Sequence, residues 1–185
     1  MSDVIRTKRL TLRRRRPGDL DRMFALFADW EVVRWLSSPP WPYTRPHADD
    51  FARAISNPGG NAAETEFAIA HDDDFIGAVG VRIRPASHLQ RGAGPNLGYW
   101  LGRPYWGRGY MTEALAALIA HVFATRPEDA IYAGVFTGND ASLRVQEKLG
   151  FVRDGETMLR SNPRGGEFPH INTVLMRARF AGLAA

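Results

Sequence analysis

Gly107 and Gly109 stand at a change of hydrophobic period. Upstream, Leu97, Tyr99 and Leu101 alternate as in a strand; downstream, Met111, Leu115, Leu118 and Val122 recur at helical spacing. The strand runs into the helix through Gly102-Arg103-Pro104-Tyr105-Trp106-Gly107-Arg108-Gly109. Pro104 stops the strand, and the glycines permit a tight turn and a close main-chain approach to another molecule. The first amides of the helix, from about Gly109 to Thr112, have no carbonyl four residues back. They point outward as donors at the positive end of the helix dipole, an arrangement that holds a phosphate or pyrophosphate. The turn is not a P-loop, which needs four residues between its glycines and then Lys-Ser or Lys-Thr. Nor is it a dinucleotide fingerprint: Thr112 stands where the third glycine belongs, and Asp129, near the spacing of the ribose-binding acid, falls in a turn before the next strand. Read for structure alone, it is an ordinary glycine-rich strand-to-helix turn.

Other residues could move protons. His170, near the start of the last predicted strand, could accept one directly or through water, although a lone histidine is more often structural or simply exposed. Glu66 and Glu167 are weaker candidates, equally well read as surface charges. Three consecutive aspartates, Asp72 to Asp74, invite a metal, but successive side chains point different ways and Asp is a standard turn residue, so they read as a hairpin loop and no metal is expected. The chain has no cysteine, which excludes disulfides, thiolate metal sites and a cysteine nucleophile.

The elements that must position these groups follow the order of a meander. Residues 4 to 14 read as a first strand, with Leu10 and Leu12 facing inward and Thr11 and Arg13 outward. Asp19 is placed to N-cap a helix carrying Leu20, Met23, Phe24 and Phe27 on one face. Trp30, Trp35, Trp41 and Tyr43 crowd a proline-rich stretch with room for a short second helix. A helix from Arg45 to Ser56 stops at Asn57-Pro58-Gly59-Gly60. Strands follow at Phe67 to Ala70 and Phe75 to Ile83, then a loop from Pro85 to Pro95 that returns to the strand above. After the main helix come a strand, Ala130 to Phe136, a helix ending at Lys148 with Gly150 as its cap, and a hairpin joining Phe151-Val152-Arg153 to His170-Met176. Antiparallel strands before the first helical crossover contradict a doubly wound nucleotide fold.

At 185 residues, with 44% hydrophobic and 24% charged residues, the chain fits one globular domain spanning 1–185. No apolar run approaches the roughly eighteen residues a bilayer span requires, and the chain reads as cytoplasmic with no membrane partner. A net charge of +4 suits anionic ligands. The one dense basic run, Arg13 to Arg16, is explained by a solvated strand edge, which argues against a nucleic-acid partner.

The stretch LGYWLGRPYWGRGYMTEALAAL resembles the acyl-CoA-binding motif of the GNAT superfamily of N-acetyltransferases, and WGRGYMTEAL is similar to its RimJ/RimL-like branch, which acetylates protein N-termini and other amines. The six-residue family signature (Gln or Arg, two residues, Gly, one residue, Gly or Ala) falls on Trp106, Gly107, Arg108, Gly109, Tyr110 and Met111. Two of its three specified positions depart, but that family holds the CoA pyrophosphate mainly through main-chain amides. The opening RTKRLTLRRRRPGDLD and the run NDASLRVQEKLGF resemble two further segments of the same family, so the resemblance covers about residues 6 to 180.

That resemblance implies an α/β fold of α+β type: a mixed, mostly antiparallel central sheet with flanking helices and a parallel strand pair that splays apart. It implies acetyl-CoA as cosubstrate, a primary amine of a protein N-terminus or a small molecule as acceptor, direct transfer, and a monomer or homodimer. On this chain the main chain at Leu101 is the expected partner of the thioester oxygen. Trp106 to Thr112 would hold the phosphates, and Asn139 the pantetheine arm or, equally, its own helix N-terminus. Many members use a Tyr as general acid where this chain has Gln146, and the RimJ/RimL-like branch has a serine at Ser142, the substitute expected here; Ser142 reads equally well as a packing residue. The strand position that often carries a catalytic Glu is Asn96, so no carboxylate base is assured, and Asn96 and Trp35 are expected at the acceptor. An α-amine needs only about 1 kcal/mol to be neutral at pH 7, a lysine about 4 to 5, so a site without a strong base favours α-amines or other weakly basic amines. The departures at Gln146 and Asn96 leave a second reading, a non-catalytic acyl-CoA-binding protein on the same fold.

Overall fold

The computed structural model describes residues 4–56, 64–84 and 94–184. Its centre is an eight-stranded sheet in the order β1-β2-β3-β4-β5-β6-β8-β7. The strands are β1 (Val4–Arg6), β2 (Thr11–Arg13), β3 (Glu64–His71), β4 (Asp74–Arg84), β5 (Gly94–Leu101), β6 (Ala130–Phe136), β7 (Val152–Ser161) and β8 (Gly166–Met176). Every neighbouring pair is antiparallel except β5 and β6, which run parallel and meet at one register position, Asn96 opposite Tyr132. Beyond it the two strands part, leaving their C-terminal ends, Leu101 and Phe136, on either side of a cleft. The expected mixed sheet with a splayed parallel pair is present.

Helices cover both faces. The long helix α4 (Tyr110–Thr125) buries Met111, Leu115, Leu118, Ile119 and Val122 against Leu12, Ile69, Val79, Leu97 and Ile131. Against the other face, α1 (Leu20–Phe27) packs Met23 on Ala68 and Phe75. The remaining helices are α2 (Trp30–Val33), α3 (Arg45–Ser56), α5 (Asp140–Lys148) and α6 (Arg177–Ala184). Among the described residues no helix is long and apolar enough to cross a membrane, and no group of three His, Asp or Glu side chains could hold a metal ion.

Several sequence expectations are corrected. The first strand is two short antiparallel strands, because Thr7 turns the chain: its hydroxyl and amide both reach the Leu10 carbonyl, and the Leu10 amide returns to the hydroxyl. Arg13 is buried, with 3% of its surface exposed. It lies opposite Ala68, on the face that α1 covers, so the sheet has no wet face there for it to reach. Asp19 does not cap α1 with its side chain; it accepts two hydrogen bonds from Arg13, at 2.7 and 2.8 Å, and one from the Arg16 amide. The final hairpin is longer than read, with a turn only from Asn162 to Gly165, and α6 carries no pattern that marked it in advance. The aspartate hairpin does form, with Asp72 and Asp73 at φ 49° and 68°. The helix stop at 57–60 and most of the 85–95 loop lie outside the described residues.

Candidate active site

A cavity of about 680 Å³ opens where β5 and β6 part. Its floor is β5 from Asn96 to Leu101, one wall is β6 with the start of α5, and one end is the turn into α4. The residues expected from sequence converge on it: Leu101, Trp106, Gly107, Gly109, Tyr110, Met111, Thr112, Asn139, Ser142, His170, Trp35 and Asn96 all line it. Arg108 does not; its carbonyl accepts from Arg9 Nη1 at 2.9 Å. Glu66 and Glu167 lie outside the lining. Glu66 pairs with Arg15, and Glu167 sits opposite Arg160 on the exposed β7–β8 hairpin.

The glycine turn is built from backbone conformations that side chains disfavour. Gly107 and Gly109 have φ 73° and 77°, and Gly109 is the N-cap of α4. No heavy atom lies within 4 Å of where a Gly107 Cβ would be, so the main chain there is open to a ligand. The first intrahelical bond runs from the Glu113 amide to the Gly109 carbonyl, which leaves the amides of Tyr110, Met111 and Thr112 at the mouth of the helix. The side chains of Tyr110 and Met111 are buried in the core, and the Tyr110 hydroxyl bonds His71 Nε2 at 2.9 Å. Trp106 donates its indole N–H to the Leu101 carbonyl at 2.7 Å, tying the turn to the end of β5. Behind the turn, Arg9 spans from Arg108 to Glu113 in the first turn of α4, pairing with that carboxylate at 2.7 Å. Burial pushes the Glu113 pKa up, but hydrogen bonds from Thr7 and Arg9 outweigh it and hold it below the usual carboxylate value.

The other end is built from side chains. Asn139 caps α5, accepting from the Ser142 amide. Ser142 Oγ lies 2.6 Å from the hydroxyl of Tyr99, a residue that the sequence reading placed only as part of a strand. Gln146, one turn along α5, donates from Nε2 to the same hydroxyl at 2.9 Å and accepts from Thr173 Oγ1 at 2.7 Å. The signal for this group was present as two periodicities: Tyr99 shares the strand face of Leu97 and Leu101, and residues 142 and 146 share one face of a helix. Burial raises the Tyr99 pKa, while its bonds to Ser142 and Gln146 pull the other way.

His170 is buried on the opposite face of β8 from Thr173, its ring edge-on to Phe136 and packed over Gly134. A Cβ at Gly134 would fall 2.2 Å from the imidazole, so this position must be glycine for the ring to lie where it does. His170 Nδ1 lies 3.1 Å from Asn172 Oδ1. An amide oxygen only accepts, so the neutral ring carries its hydrogen on Nδ1 and its acceptor lone pair on Nε2. At the mouth, Trp35 stacks under Arg34, with 4.6 Å between ring centroid and guanidinium. Ser161 and Asn162 of the β7–β8 hairpin hydrogen-bond the carbonyls of Leu36, Ser37 and Ser38, locking the Trp35 loop over the cavity.

The family model of the acetyltransferase (GNAT) domain matches residues 9–152. An uncharacterized N-acetyltransferase of Bacillus licheniformis, p20, is 28% identical over 182 residues, covering 97% of this chain and 99% of that protein. Among solved structures, Mycobacterium smegmatis RimJ in complex with CoA-disulfide superposes with a TM-score of 0.77 at 20% identity, covering 91% of this chain and 82% of that one. A RimL ribosomal L7/L12 α-N-protein acetyltransferase bound to coenzyme A gives 0.76 at 17% identity, covering 94% and 97%. At these identities the structural likeness is one of fold.

Proposed function

The chain belongs to the GNAT acetyltransferase family, and from that premise we propose that it moves the acetyl group of acetyl-CoA directly to a weakly basic primary amine, the α-amine of a protein N-terminus or a small-molecule amine, as in the RimJ/RimL-like branch. The observation that carries this reading is the cavity itself, with an anion-binding turn at one end and a cluster of proton-handling side chains near the parted strand ends. Its residues fit acetyl-CoA. The open main chain at Gly107 and the amides at the start of α4 suit the pyrophosphate. Asn139 and the edge of β6 suit the pantetheine arm, and the main chain near Leu101 suits the thioester oxygen. Bound there, the thioester supplies an activated acetyl carbon.

The chain's own groups then have three tasks. The cleft between β5 and β6 aligns amine and thioester, replacing a bimolecular encounter with a held one. His170 Nε2 accepts the proton the nitrogen must lose, directly or through a water. Ser142 offers its hydroxyl to the leaving sulfur. No carboxylate lies at Asn96 to drive deprotonation, so the acceptor must be an amine that is already substantially neutral near pH 7, and Trp35 and Asn96 would face it. The runner-up, an acyl-CoA-binding protein without catalysis, rests on Gln146 in place of a tyrosine and Asn96 in place of a glutamate; Tyr99 brings a hydroxyl to Gln146 from β5, which favours catalysis, while Asn96 brings no carboxylate.

The test is an acceptor screen following CoA release, with peptides bearing free α-amines beside the same peptides N-blocked with one free lysine. Faster turnover of the α-amine peptides is expected, with the difference narrowing as pH rises toward the lysine pKa. Equal or better lysine acetylation at pH 7 would overturn the acceptor class. Acetyl-CoA binding with no turnover on any amine would favour the non-catalytic reading.

A further inference from the structure

A line of hydrogen bonds crosses the core beneath the cavity with its direction fixed at one end. Gln146 is fully buried, and its amide lies with Oε1 toward Thr173 and Nε2 toward Tyr99. Thr173 donates to its Oε1, so its Nε2 donates to the Tyr99 oxygen. The Tyr99 hydrogen then has two acceptors in reach, Ser142 Oγ at 2.6 Å and the Ser142 carbonyl at 3.3 Å. A phenol is a stronger proton donor than an aliphatic alcohol, so the short bond runs from Tyr99 to Ser142. The hydrogen of Ser142 is left to point elsewhere, and Ser142 lines the cavity. From Thr173 through Gln146 and Tyr99 to Ser142, each hydrogen is directed toward the cavity. Burial keeps the phenol neutral, so this polarity persists across the working pH range.

Resting on the acetyl-transfer reading above, we propose that Tyr99, oriented by Gln146 and Thr173, is a positioning residue that commits the Ser142 hydroxyl to donate a hydrogen bond to the thioester sulfur. As the amine nitrogen bonds to the acetyl carbon, the C–S bond breaks and its electron pair moves to sulfur. Ser142 stabilises that charge without losing its own proton, and the thiolate takes up the proton that the nitrogen lost to His170 once that imidazole gives it back through water. Gln146 is thus no defect in a catalytic position; it aims a hydroxyl that arrives from β5 instead of from α5.

The experiment uses CoA, the product, as probe, and follows the ultraviolet absorbance of its thiolate against pH when bound to wild type, Ser142→Ala, Tyr99→Phe and the double variant. Each substitution removes a neutral hydroxyl, so the charged or titratable neighbours Tyr105, Tyr110, Asp140, Arg144, Lys148 and His170 are common to all four proteins. The bound thiol is expected to hold its proton about tenfold more tightly in either single variant and no more tightly in the double, with CoA affinity changed less than about threefold. On any acceptor the screen identifies, kcat should fall about tenfold to a hundredfold in both single variants at nearly constant KM for acetyl-CoA. A Tyr99→Phe protein whose bound thiol titrates as in wild type, while Ser142→Ala shifts, would overturn the proposal; so would additive shifts in the double variant. Thr173→Val, which only unties the amide, should shift the thiol in the same direction and by less, and serves if Tyr99→Phe fails to fold. Wild type that binds CoA and lowers its thiol pKa but acetylates no amine would count against the functional reading and leave this network standing.

Discussion

The two ends of the cavity solve opposite problems with opposite materials. At the turn into α4 the groups proposed to face the cosubstrate are main-chain amides, and side chains are absent, at Gly107 and Gly109, or turned into the core, as at Tyr110 and Met111. Under α5 the groups proposed to act are side chains held by other side chains: Ser142 by Tyr99, Tyr99 by Gln146, Gln146 by Thr173. A main-chain site tolerates changes of residue type so long as the backbone can take the same path, which is why Trp106 and Met111 can depart from a family signature at little chemical cost. A side-chain site tolerates relocation instead, since a hydroxyl from a neighbouring strand can replace one lost from a helix.

Substitutions can break this contrast in graded ways. The largest effect is expected from a change that touches neither end. Asp19→Ala leaves the Arg13 guanidinium buried and without its main partner, and should cost about 3 kcal/mol of stability in denaturant unfolding, with acetyl-CoA affinity of the folded protein unchanged. Burial pushes the Asp19 pKa up, but hydrogen bonds from Arg13 and the Arg16 amide outweigh it, so the folded value lies below the unfolded one. Its stabilisation is therefore complete above about pH 4 and is lost as pH falls through the folded pKa. The wild-type stability curve should drop there, and that of Asp19→Ala should be flatter.

Next in size is Gly109→Glu. A residue with a Cβ at φ 77° is strained by about 1 to 2 kcal/mol, and the carboxylate would face the proposed pyrophosphate, so acetyl-CoA should bind about thirtyfold to a hundredfold more weakly by calorimetry. Ser142→Ala should leave that affinity nearly unchanged and lower kcat about tenfold to a hundredfold, the opposite split between binding and turnover. The smallest effect belongs to Trp106→Phe, which removes the indole bond to the Leu101 carbonyl. About 1 kcal/mol, or roughly fivefold in acetyl-CoA affinity, is expected, and a larger loss would show that the side chain contributes more than its anchoring of the turn.

Most of the fold was legible because it is written in local patterns. The change of period around Gly107, the helix from Arg45 to Ser56, the aspartate hairpin and the Asn139 cap all depend on neighbours in sequence. The cavity lining was legible for the same reason on the α4 side, where spacing alone sets out the amides. What stayed hidden depends on long-range packing. Arg13 looks exposed under strand alternation until α1 is known to cover its face, and Asp19 looks like a cap until Arg13 is known to be buried beside it. Tyr99 and Ser142 are 43 residues apart in sequence, and Gln146 and Thr173 are 27 apart, so no window of sequence places them in one bonded chain.

The most direct test of the two-ended site is thermal unfolding of wild type and Gly109→Glu with and without acetyl-CoA. A ligand that binds only the folded protein must stabilise it, by about 2.7 kcal/mol at a hundred times its dissociation constant. A clear upward shift in wild type that is largely lost in Gly109→Glu is the expected result. No shift in wild type at saturating acetyl-CoA, or an equal shift in both proteins, would contradict the assignment of the glycine turn as the anchor of the cosubstrate.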